Sequence, residues 1–197
     1  MTDITQKGRP LDTDLTKRVL ATVRSHVEEH GFVNLSIEKV AAEVGCGKTT
    51  IYRRWPSKPE LVAAAILDNT EVGELPDTGD VVDDLVEHAW QNRENFRRSK
   101  NESGNNGMLL AMFNMDVIPI ISESFMKARH AMGREILARG VARGQVSGEL
   151  DHDLIIDTLA GLTLFRITLK PEARARTDDD IKDTYRSLVR SLIGRQS

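Results

Sequence analysis

The chain has 197 residues, of which 40% are hydrophobic and 29% are charged, ordinary proportions for a globular protein. Its formal net charge of −3 excludes a globally basic surface for nucleic acid, and its single cysteine excludes an intramolecular disulfide framework. No apolar run has the length of about 18 residues that a membrane span needs, and the N-terminus lacks an apolar signal core. We therefore expect a cytoplasmic protein with no membrane contact.

A polar arm precedes the first predicted helix. Residues 1–12 contain Gly8 and Pro10 and are expected to form a flexible arm. From residue 13 an apolar side chain recurs at every fourth position, which indicates an amphipathic helix that stops at Gly31. These apolar positions are Leu15, Val19, Val23 and Val27.

Three shorter helices are predicted next. Residues 37–44 carry apolar side chains at i, i+3, i+4 and i+7 and follow Ser36, which is a good N-cap residue. The glycines of Gly45-Cys46-Gly47 interrupt this pattern, and a short basic helix over 48–55 follows. The capping-box pattern S-x-x-E at 57–60 then starts a fourth helix that reaches residue 69.

The rest of the chain is also predicted to be helical. The stretch 71–80 contains glycine, proline and acidic residues and is the best domain boundary in the sequence. No convincing alternating strand pattern occurs, so we predict an all-α fold of about nine helices. It would comprise a helix-turn-helix domain over 13–69 and a helical ligand-binding and dimerisation domain over 70–197. The later helices are predicted at 81–98, 108–114, 117–144, 153–169 and 179–193.

A phosphate-binding nucleotide loop is one interpretation of the glycine-rich turn. Gly47, Lys48 and Thr49 match the end of the pattern G-x-x-x-x-G-K-[ST], but the first glycine of that pattern is replaced by Ala42. The preceding residues, 37–44, have the spacing of a helix, whereas a nucleotide loop follows a buried strand. The sequence therefore disfavours this interpretation.

A helix-turn-helix fits the same stretch in order and length. Such a motif has a supporting helix, a tight turn and a second helix that enters the major groove of DNA. Ile51 and Trp55 can anchor the second helix, which leaves its remaining side chains facing outward. They are residue types that contact phosphates and base edges: Lys48, Thr49, Thr50, Tyr52, Arg53 and Arg54.

The segment "GFVNLSIEKVAAEVGCGKTTIYRRWPSKPELVAAAI", residues 31–66, resembles the DNA-binding domain of the tetracycline-repressor (TetR) family. The segment "EILARGVARGQVSGELD", residues 135–151, also resembles a ligand-domain subgroup of that family. The resemblance implies an all-α homodimer whose paired recognition helices bind a palindromic operator in double-stranded DNA. It also implies regulation by a small-molecule effector.

The resemblance implies roles for individual residues. Contacts to DNA are expected from Ser36, Lys48, Thr49, Tyr52, Arg53 and Lys58, beside the outward-facing Thr50 named above. Arg54 stands where the family varies and is expected to carry specificity. Arg9 lies beside glycine and proline in the arm, and an arginine in this setting can enter a narrow minor groove. The alternative is that the arm is a tail without DNA contact.

The methionines cluster in the C-terminal part of the chain. The five beyond Met1 all lie between residues 108 and 132, and methionine suits either ordinary core filling or an adaptable wall for an apolar ligand. The second possibility predicts a pocket for a mainly apolar effector. Its predicted lining is Trp90, Phe96, Met108, Met112, Phe113, Met115, Phe125, Arg129 and Phe165.

The last two predicted helices carry long apolar stripes. These stripes could form an internal core, but the family resemblance favours a bundle formed with a second copy of the chain. The predicted interface residues are Ile156, Leu159, Leu162, Tyr185, Leu188 and Leu192.

The function predicted from the sequence is a DNA-binding regulator, most simply a repressor released by an effector. No nucleophile and base pair, metal cluster or cofactor loop is visible, so neither an enzymatic activity nor a cofactor is expected. His26 and His30 have the spacing of metal ligands, but Val27 stands where a zinc protease has glutamate. Two alternatives remain, a small all-α enzyme or carrier and a DNA-binding dimer without an effector.

Overall fold

The structure is a computed structural model that describes residues 13–98, 107–169 and 176–194. All of its regular elements are helices, in the order α1 (Thr13–Asn34), α2 (Ile37–Val44), α3 (Lys48–Tyr52), α4 (Lys58–Leu67), α5 (Val81–Arg98), α6 (Gly107–Ala111), α7 (Ile118–Ile121), a π-helical turn (Ser122–Met126), α8 (Lys127–Ala142), α9 (His152–Leu169) and α10 (Asp178–Ile193).

The prediction of an all-α fold is confirmed. Since α7, the π-helical turn and α8 follow one another without a break, the described ranges contain nine helical rods, as expected. Helix α3 ends at Tyr52 and α6 at Ala111, each three residues before its predicted end, and α4 and α8 each end two residues early. None of the helices in these ranges is long and apolar enough to cross a bilayer. The predicted arm over 1–12 lies outside the described residues.

The first four helices have the local signals that the sequence shows. Gly31 interrupts α1 with φ 78° and ψ 165°, a conformation that favours glycine and that bends the chain toward α2. Ser36 caps α2 and Ser57 caps α4, each side-chain oxygen accepting a backbone N–H three residues on. These capped ends fix where α2 and α4 begin, on either side of α3 in the chain.

The core beneath these helices extends beyond residue 70. Val19, Val23 and Val27 of α1 pack with α2 and α4, and Met108 and Ala111 of α6 join the same cluster. The contact of α6 with α1 is very close, because a Cβ added at Gly107 would lie 2.2 Å from the Val27 carbonyl oxygen. Glycine is therefore required for this approach of the two helices.

A polar contact reinforces the junction between α1 and α6. The Glu28 carboxylate accepts the backbone N–H groups of Gly107, at 2.8 Å, and of Met108, at 3.2 Å. These two amides lie at the start of α6, where helix N–H groups have no intrahelical partner and where negative charge is favoured. A side chain of the first helix thus caps a helix that begins about eighty residues later.

A second core lies between α5, α8, α9 and α10. Leu85 of α5, Leu137 of α8 and Tyr185 of α10 are almost completely buried there. The Tyr185 hydroxyl makes a buried hydrogen bond of 2.9 Å with Thr163 of α9, which satisfies both polar groups inside an apolar environment. The four helices therefore form one packed bundle in the single chain.

Three predicted interface residues belong to this internal core. Ile156 and Leu159 are 3% and 2% exposed, and Tyr185 is 1% exposed. Side chains buried to this extent within one chain do not lie on a surface that a second copy could contact. The prediction that these three form a dimer interface is corrected accordingly: they face inward because α9 and α10 pack their apolar stripes on α5 and α8.

Candidate DNA-binding surface and effector cavity

The turn between α2 and α3 is built by backbone hydrogen bonds. Gly45 ends α2 in the left-handed region, with φ 76° and ψ 36°. The Cys46 N–H donates to the Ala41 carbonyl over 2.9 Å and the Gly45 N–H donates to Ala42 over 3.3 Å, which is the Schellman arrangement. Gly47 then begins α3 in extended conformation. This closed turn holds α3 across the end of α2.

The side chains of α3 divide into an anchored and an exposed set. Ile51 is 1% exposed and packs in the first core, with Trp55 partly buried beside it. Lys48, Thr49, Tyr52 and Arg53 are exposed, and Thr50 is half-buried. The exposed set consists of hydroxyl and cationic groups. Such groups donate hydrogen bonds to the phosphates and base edges of nucleic acids.

Lys48 is paired with an acidic side chain of α2. Its ammonium donates to the Glu38 carboxylate, and it also lies 5.6 Å from the centre of the Tyr52 ring. The hydrogen bond to Lys48 lowers the pKa of Glu38, and the same bond raises the pKa of Lys48. Both groups are therefore charged at neutral pH. The Glu38 carboxylate would compete with a DNA phosphate for Lys48.

Lys58 and Ser36 lie at the edges of the same surface. Lys58 donates to the Val33 carbonyl over 2.9 Å and sits 4.9 Å from the centre of the Phe32 ring. The Ser36 hydroxyl lies at the start of α2, where it accepts from the backbone N–H of Lys39 over 3.3 Å. Both side chains thus have local structural roles, and both are at helix N-termini, which favour anions.

Arg54 does not stand on the outer face with its neighbours. Its guanidinium points back toward α1 and donates to the Thr16 hydroxyl, and the side chain is partly buried. The expectation that Arg54 faces outward is corrected, because α3 ends at Tyr52 and the chain turns Arg54 toward α1. Arg9, the remaining predicted DNA contact, lies outside the described residues.

An apolar cavity lies between α5, the π-helical turn, α8 and α9. Its volume is about 240 Å³. Four of the predicted pocket residues line it: Phe96, Met112, Phe125 and Arg129. The sequence did not reveal that Asn92, Met126, Ala160 and Leu164 also line the cavity. Leu164 and Ala160 are part of the apolar pattern of α9, but that pattern does not reveal which of its residues border a space.

The other predicted pocket residues lie elsewhere. Met108 is buried in the first core, because α6 packs on α1. Phe113 and Met115 are 47% and 79% exposed. Trp90 of α5 contacts α10, and the Arg93 guanidinium and the Lys182 ammonium each lie 4.9 Å from its ring centre. Phe165 is half-exposed on α9. The prediction that these five residues line the effector pocket is therefore wrong.

One end of the cavity carries a buried cation. Arg129 is 5% exposed and donates to the Val72 carbonyl over 2.7 Å, to Gln91 Oε1 over 3.2 Å and to the His88 carbonyl. Desolvation lowers the pKa of Arg129 to about 10, so it stays charged at neutral pH. Burial, followed by the charge of Arg129, lowers the pKa of His88 to about 3, so its ring is neutral.

The histidines of α1 have protein partners. His26 Nε2 lies 2.8 Å from Glu43 Oε2, and its ring meets that of His30 edge-on at 6.0 Å between centres. Within residues 13–98, 107–169 and 176–194 no cluster of three or more histidine, cysteine or acidic side chains could hold a metal ion.

The outer faces of α9 and α10 form an open surface. Phe165, Leu162 and Leu188 border a shallow groove there, together with the exposed Gly161. Leu162, Leu188 and Leu192 are only partly buried against the second core, unlike the three core residues described above. This groove is therefore the apolar part of the predicted interface that remains on the surface of the chain.

Comparison with known proteins places this arrangement in a family. Residues 20–65 match the family described as "Bacterial regulatory proteins, tetR family", and residues 75–192 match "Tetracyclin repressor-like, C-terminal domain". The chain belongs to the TetR family. It is therefore a DNA-binding, helix-turn-helix transcriptional regulator, and the resemblance seen in the sequence is confirmed.

Several relatives of this TetR-family chain are regulators themselves. An uncharacterized HTH-type transcriptional regulator of Mycobacterium tuberculosis is 32% identical over 192 residues, which covers 93% of this chain and 86% of the relative. The uncharacterized regulator YdeS of Bacillus subtilis is 26% identical, with 95% and 90% covered. The Salmonella enterica GusR structure has a TM-score of 0.72 at 19% identity, covering 95% and 98%, so it shares the fold.

A further solved structure is the regulator FadR from Bacillus subtilis in complex with stearoyl-CoA. It has a TM-score of 0.66 at 14% identity and covers 90% of this chain and 97% of its own. At this identity the likeness concerns the fold, and the ligand is a property of FadR.

Proposed function

We propose that this regulator is a homodimeric repressor that binds a palindromic operator and leaves it when a small, mainly apolar effector occupies the cavity. The observation that carries the proposal is the presence of both components in one chain. Lys48, Thr49 and Tyr52 of α3, with Arg53 directly after it, are exposed, and an apolar cavity of about 240 Å³ lies in the C-terminal bundle.

The proposed DNA contacts follow from the exposed set of α3 and its borders. Thr49, Thr50, Tyr52 and Arg53 would meet base edges and phosphates, and Lys48 would exchange its bond with Glu38 for a phosphate. Ser36 and Lys58 would contact the backbone at the edges. Two recognition helices in a dimer would occupy successive major-groove faces of a palindromic site.

The link between the cavity and α3 would run through α6. Met112 and Phe125 line the cavity. Met108 and Ile121, each four residues earlier in the chain, belong to the first core. That core also contains Val40 of α2 and Ile51 of α3. A ligand that displaced Met112 would therefore act on the packing that supports α3. By linkage, operator binding would weaken effector binding by the same factor.

Dimerisation is proposed through the groove of α9 and α10. Phe165→Glu and Leu188→Glu should give monomers in light-scattering measurements. Each substitution would place a glutamate carboxylate in the apolar contact between the two copies, and burying that charge is costly. Leu110→Glu is the matched control, since Leu110 is 69% exposed on α6, away from the groove. A dimer that persists in both groove variants would move the interface to another surface.

The experiment that tests the proposal is a gel shift across the intergenic DNA beside the gene, at several salt concentrations. A specific complex with a palindromic site is expected. If each half-site neutralises three to five phosphates, log K should fall against log[salt] with a slope of roughly −5 to −9. The absence of any salt-sensitive specific complex would refute operator binding there.

We also infer that the chain acts as a regulator without catalytic activity and works in the cytoplasm, where its DNA target is found. Membership of a family of transcription regulators supports both inferences. A DNA-binding dimer that needs no effector remains the alternative, and a metabolite panel that released no operator complex would favour it.

A further inference from the structure

The cavity is small and its walls are almost entirely apolar. A volume of about 240 Å³ lies below the range of roughly 300–1,000 Å³ that pockets for drug-sized ligands have. Met112 and Met126 are flexible and can widen the space for a somewhat longer chain.

Arg129, the buried cation that lines this cavity, has no anionic partner among the described residues. All three hydrogen-bond acceptors of the Arg129 guanidinium are neutral: two backbone carbonyls and the Gln91 amide oxygen. Nε of Arg129 makes no hydrogen bond to any described residue, although it is fully buried. A buried charge without a counter-charge is costly, so the arrangement would gain free energy from an anion.

The groups around Arg129 do not neutralise its charge. His88 contributes a neutral ring, whose Nδ1 is also buried and has no hydrogen-bond partner in the described part of the chain. His130, which lines the cavity as well, lies 3.1 Å from the exposed Asp157, so that carboxylate is engaged by another residue. The described residues therefore offer no carboxylate to the Arg129 guanidinium, and they leave Arg129 Nε and His88 Nδ1 without a hydrogen-bond partner.

We propose that the cavity binds a small amphiphilic monocarboxylic acid, whose carboxylate pairs with Arg129 and whose hydrocarbon part lies between Phe96, Phe125 and Leu164. This inference rests on the effector site proposed above and adds the chemical class of its ligand. A guanidinium can hold a carboxylate through two parallel N–H donors, and Nε with one N–H of Nη2 forms such an edge. His88 adds a second donor in its Nδ1–H tautomer.

The charge balance favours a carboxylate over a phosphate. One carboxylate neutralises one guanidinium, whereas a phosphate monoester near neutral pH carries about −1.5 to −2 and would leave uncompensated charge in an apolar space. An uncharged alcohol or ester of the same length would make the same apolar contacts with the cavity walls, but it would leave the Arg129 guanidinium without a counter-charge. Matched acids, alcohols and methyl esters therefore separate the contribution of the charge from that of the hydrocarbon.

The test measures binding to the full-length protein without DNA. Hexanoate, octanoate and phenylacetate are titrated by calorimetry and thermal shift beside their alcohols and methyl esters. We expect the best acid to bind at least about tenfold more tightly than its alcohol, as a charge-assisted hydrogen bond provides. Equal binding of acid and alcohol, or no binding by any of the acids at about 10 mM, would overturn the proposal.

Variants locate the site. Arg129→Met should remove the preference for the acid, and Arg129→Lys should keep part of it because the positive charge remains. Leu164→Trp, which fills the cavity, should abolish binding of acid and alcohol alike. Arg134→Met is the matched control on α8, because Arg134 pairs with Asp153 on the surface and should leave binding unchanged.

The readouts distinguish this inference from the proposed function. Acid binding that survives both Arg129→Met and Leu164→Trp would place the ligand elsewhere and refute the inference. If an acid binds with the expected variant pattern but does not release the operator, the ligand class stands and the effector mechanism fails. If only uncharged compounds bind and release the operator, the mechanism stands and the ligand class fails.

Discussion

The proposed DNA-binding surface around α3 and the cavity of the C-terminal bundle each carry a positive charge, but in opposite surroundings. Lys48 is on the surface, side by side with the Glu38 carboxylate, whereas Arg129 is buried among neutral acceptors. An exposed pair is screened by water and salt and contributes little to stability. A buried unpaired cation interacts strongly with whatever anion reaches it. The first arrangement suits a polyanion that must be released, and the second suits selection of one small molecule.

The largest effect is expected on the recognition surface. Lys48→Ala and Arg53→Ala should each weaken operator binding by about 10- to 100-fold in gel shifts, because each removes a contact to phosphate or base. For a phosphate contact, the slope of log K against log[salt] should become shallower by about 0.9. Tyr52→Phe should weaken binding less. The control is Lys127→Ala, an exposed lysine of α8, which should bind normally.

If Lys48→Ala, Arg53→Ala and Tyr52→Phe all leave the affinity for the operator unchanged, α3 is not the recognition helix. The exposed charge of Lys48 would then have no role in DNA binding.

An effect of intermediate size is expected at the cavity on acidification. The pKa of His88 is about 3 in the folded protein and about 6.5 when unfolded, so between these pH values the unfolded chain binds a proton that the folded chain does not. Stability is therefore complete above pH 6.5 and is lost as the pH falls. Between pH 7 and pH 5 this loss amounts to about 2 kcal/mol, measurable by urea denaturation.

His88→Gln should show less of this pH dependence, whereas His30→Gln, at an exposed position of α1, should keep it. An unchanged pH profile in His88→Gln would mean that other groups cause the acid sensitivity.

The smallest effect is expected from Glu38→Gln, which should tighten operator binding by about two- to fivefold at low salt. The substitution removes a carboxylate that competes with phosphate for Lys48, and the gain should shrink as salt screens the surface. Glu123→Gln is the control, since Glu123 pairs with Lys127 in the other half of the chain. Weaker binding by Glu38→Gln would show that Glu38 positions Lys48 for DNA instead of competing for it.

The recognition region was predictable because its signals are local. The N-cap Ser36, the turn glycine Gly45 and the anchor Ile51 lie within sixteen residues, and helical spacing alone sets which side chains of so short a segment face outward. Arg54 departed from this prediction because its partner, Thr16, is distant in sequence.

The cavity was only partly predictable because its walls come from distant segments. The methionine cluster indicated the correct part of the chain, but α6 packs on α1 and takes Met108 into a different core. The apolar stripes of α9 and α10 likewise could not show which side of each helix packs inward. Ile156, for example, was assigned to an interface and instead lies in the bundle, where its side chain would lie only 2.8 Å from a Cβ added at Gly133 of α8.

The contact of Gly107 and Glu28 between α6 and α1 has a consequence for hybrid regulators. A chimera joined at residue 70 would pair the Val27 carbonyl and the Glu28 carboxylate of one parent with the α6 of another. A residue larger than glycine at the first position of that α6 would collide with α1. The unit to exchange for a change of operator preference is therefore α1–α4 together with a compatible α6. A useful library would vary the α1 and α6 residues of this contact together.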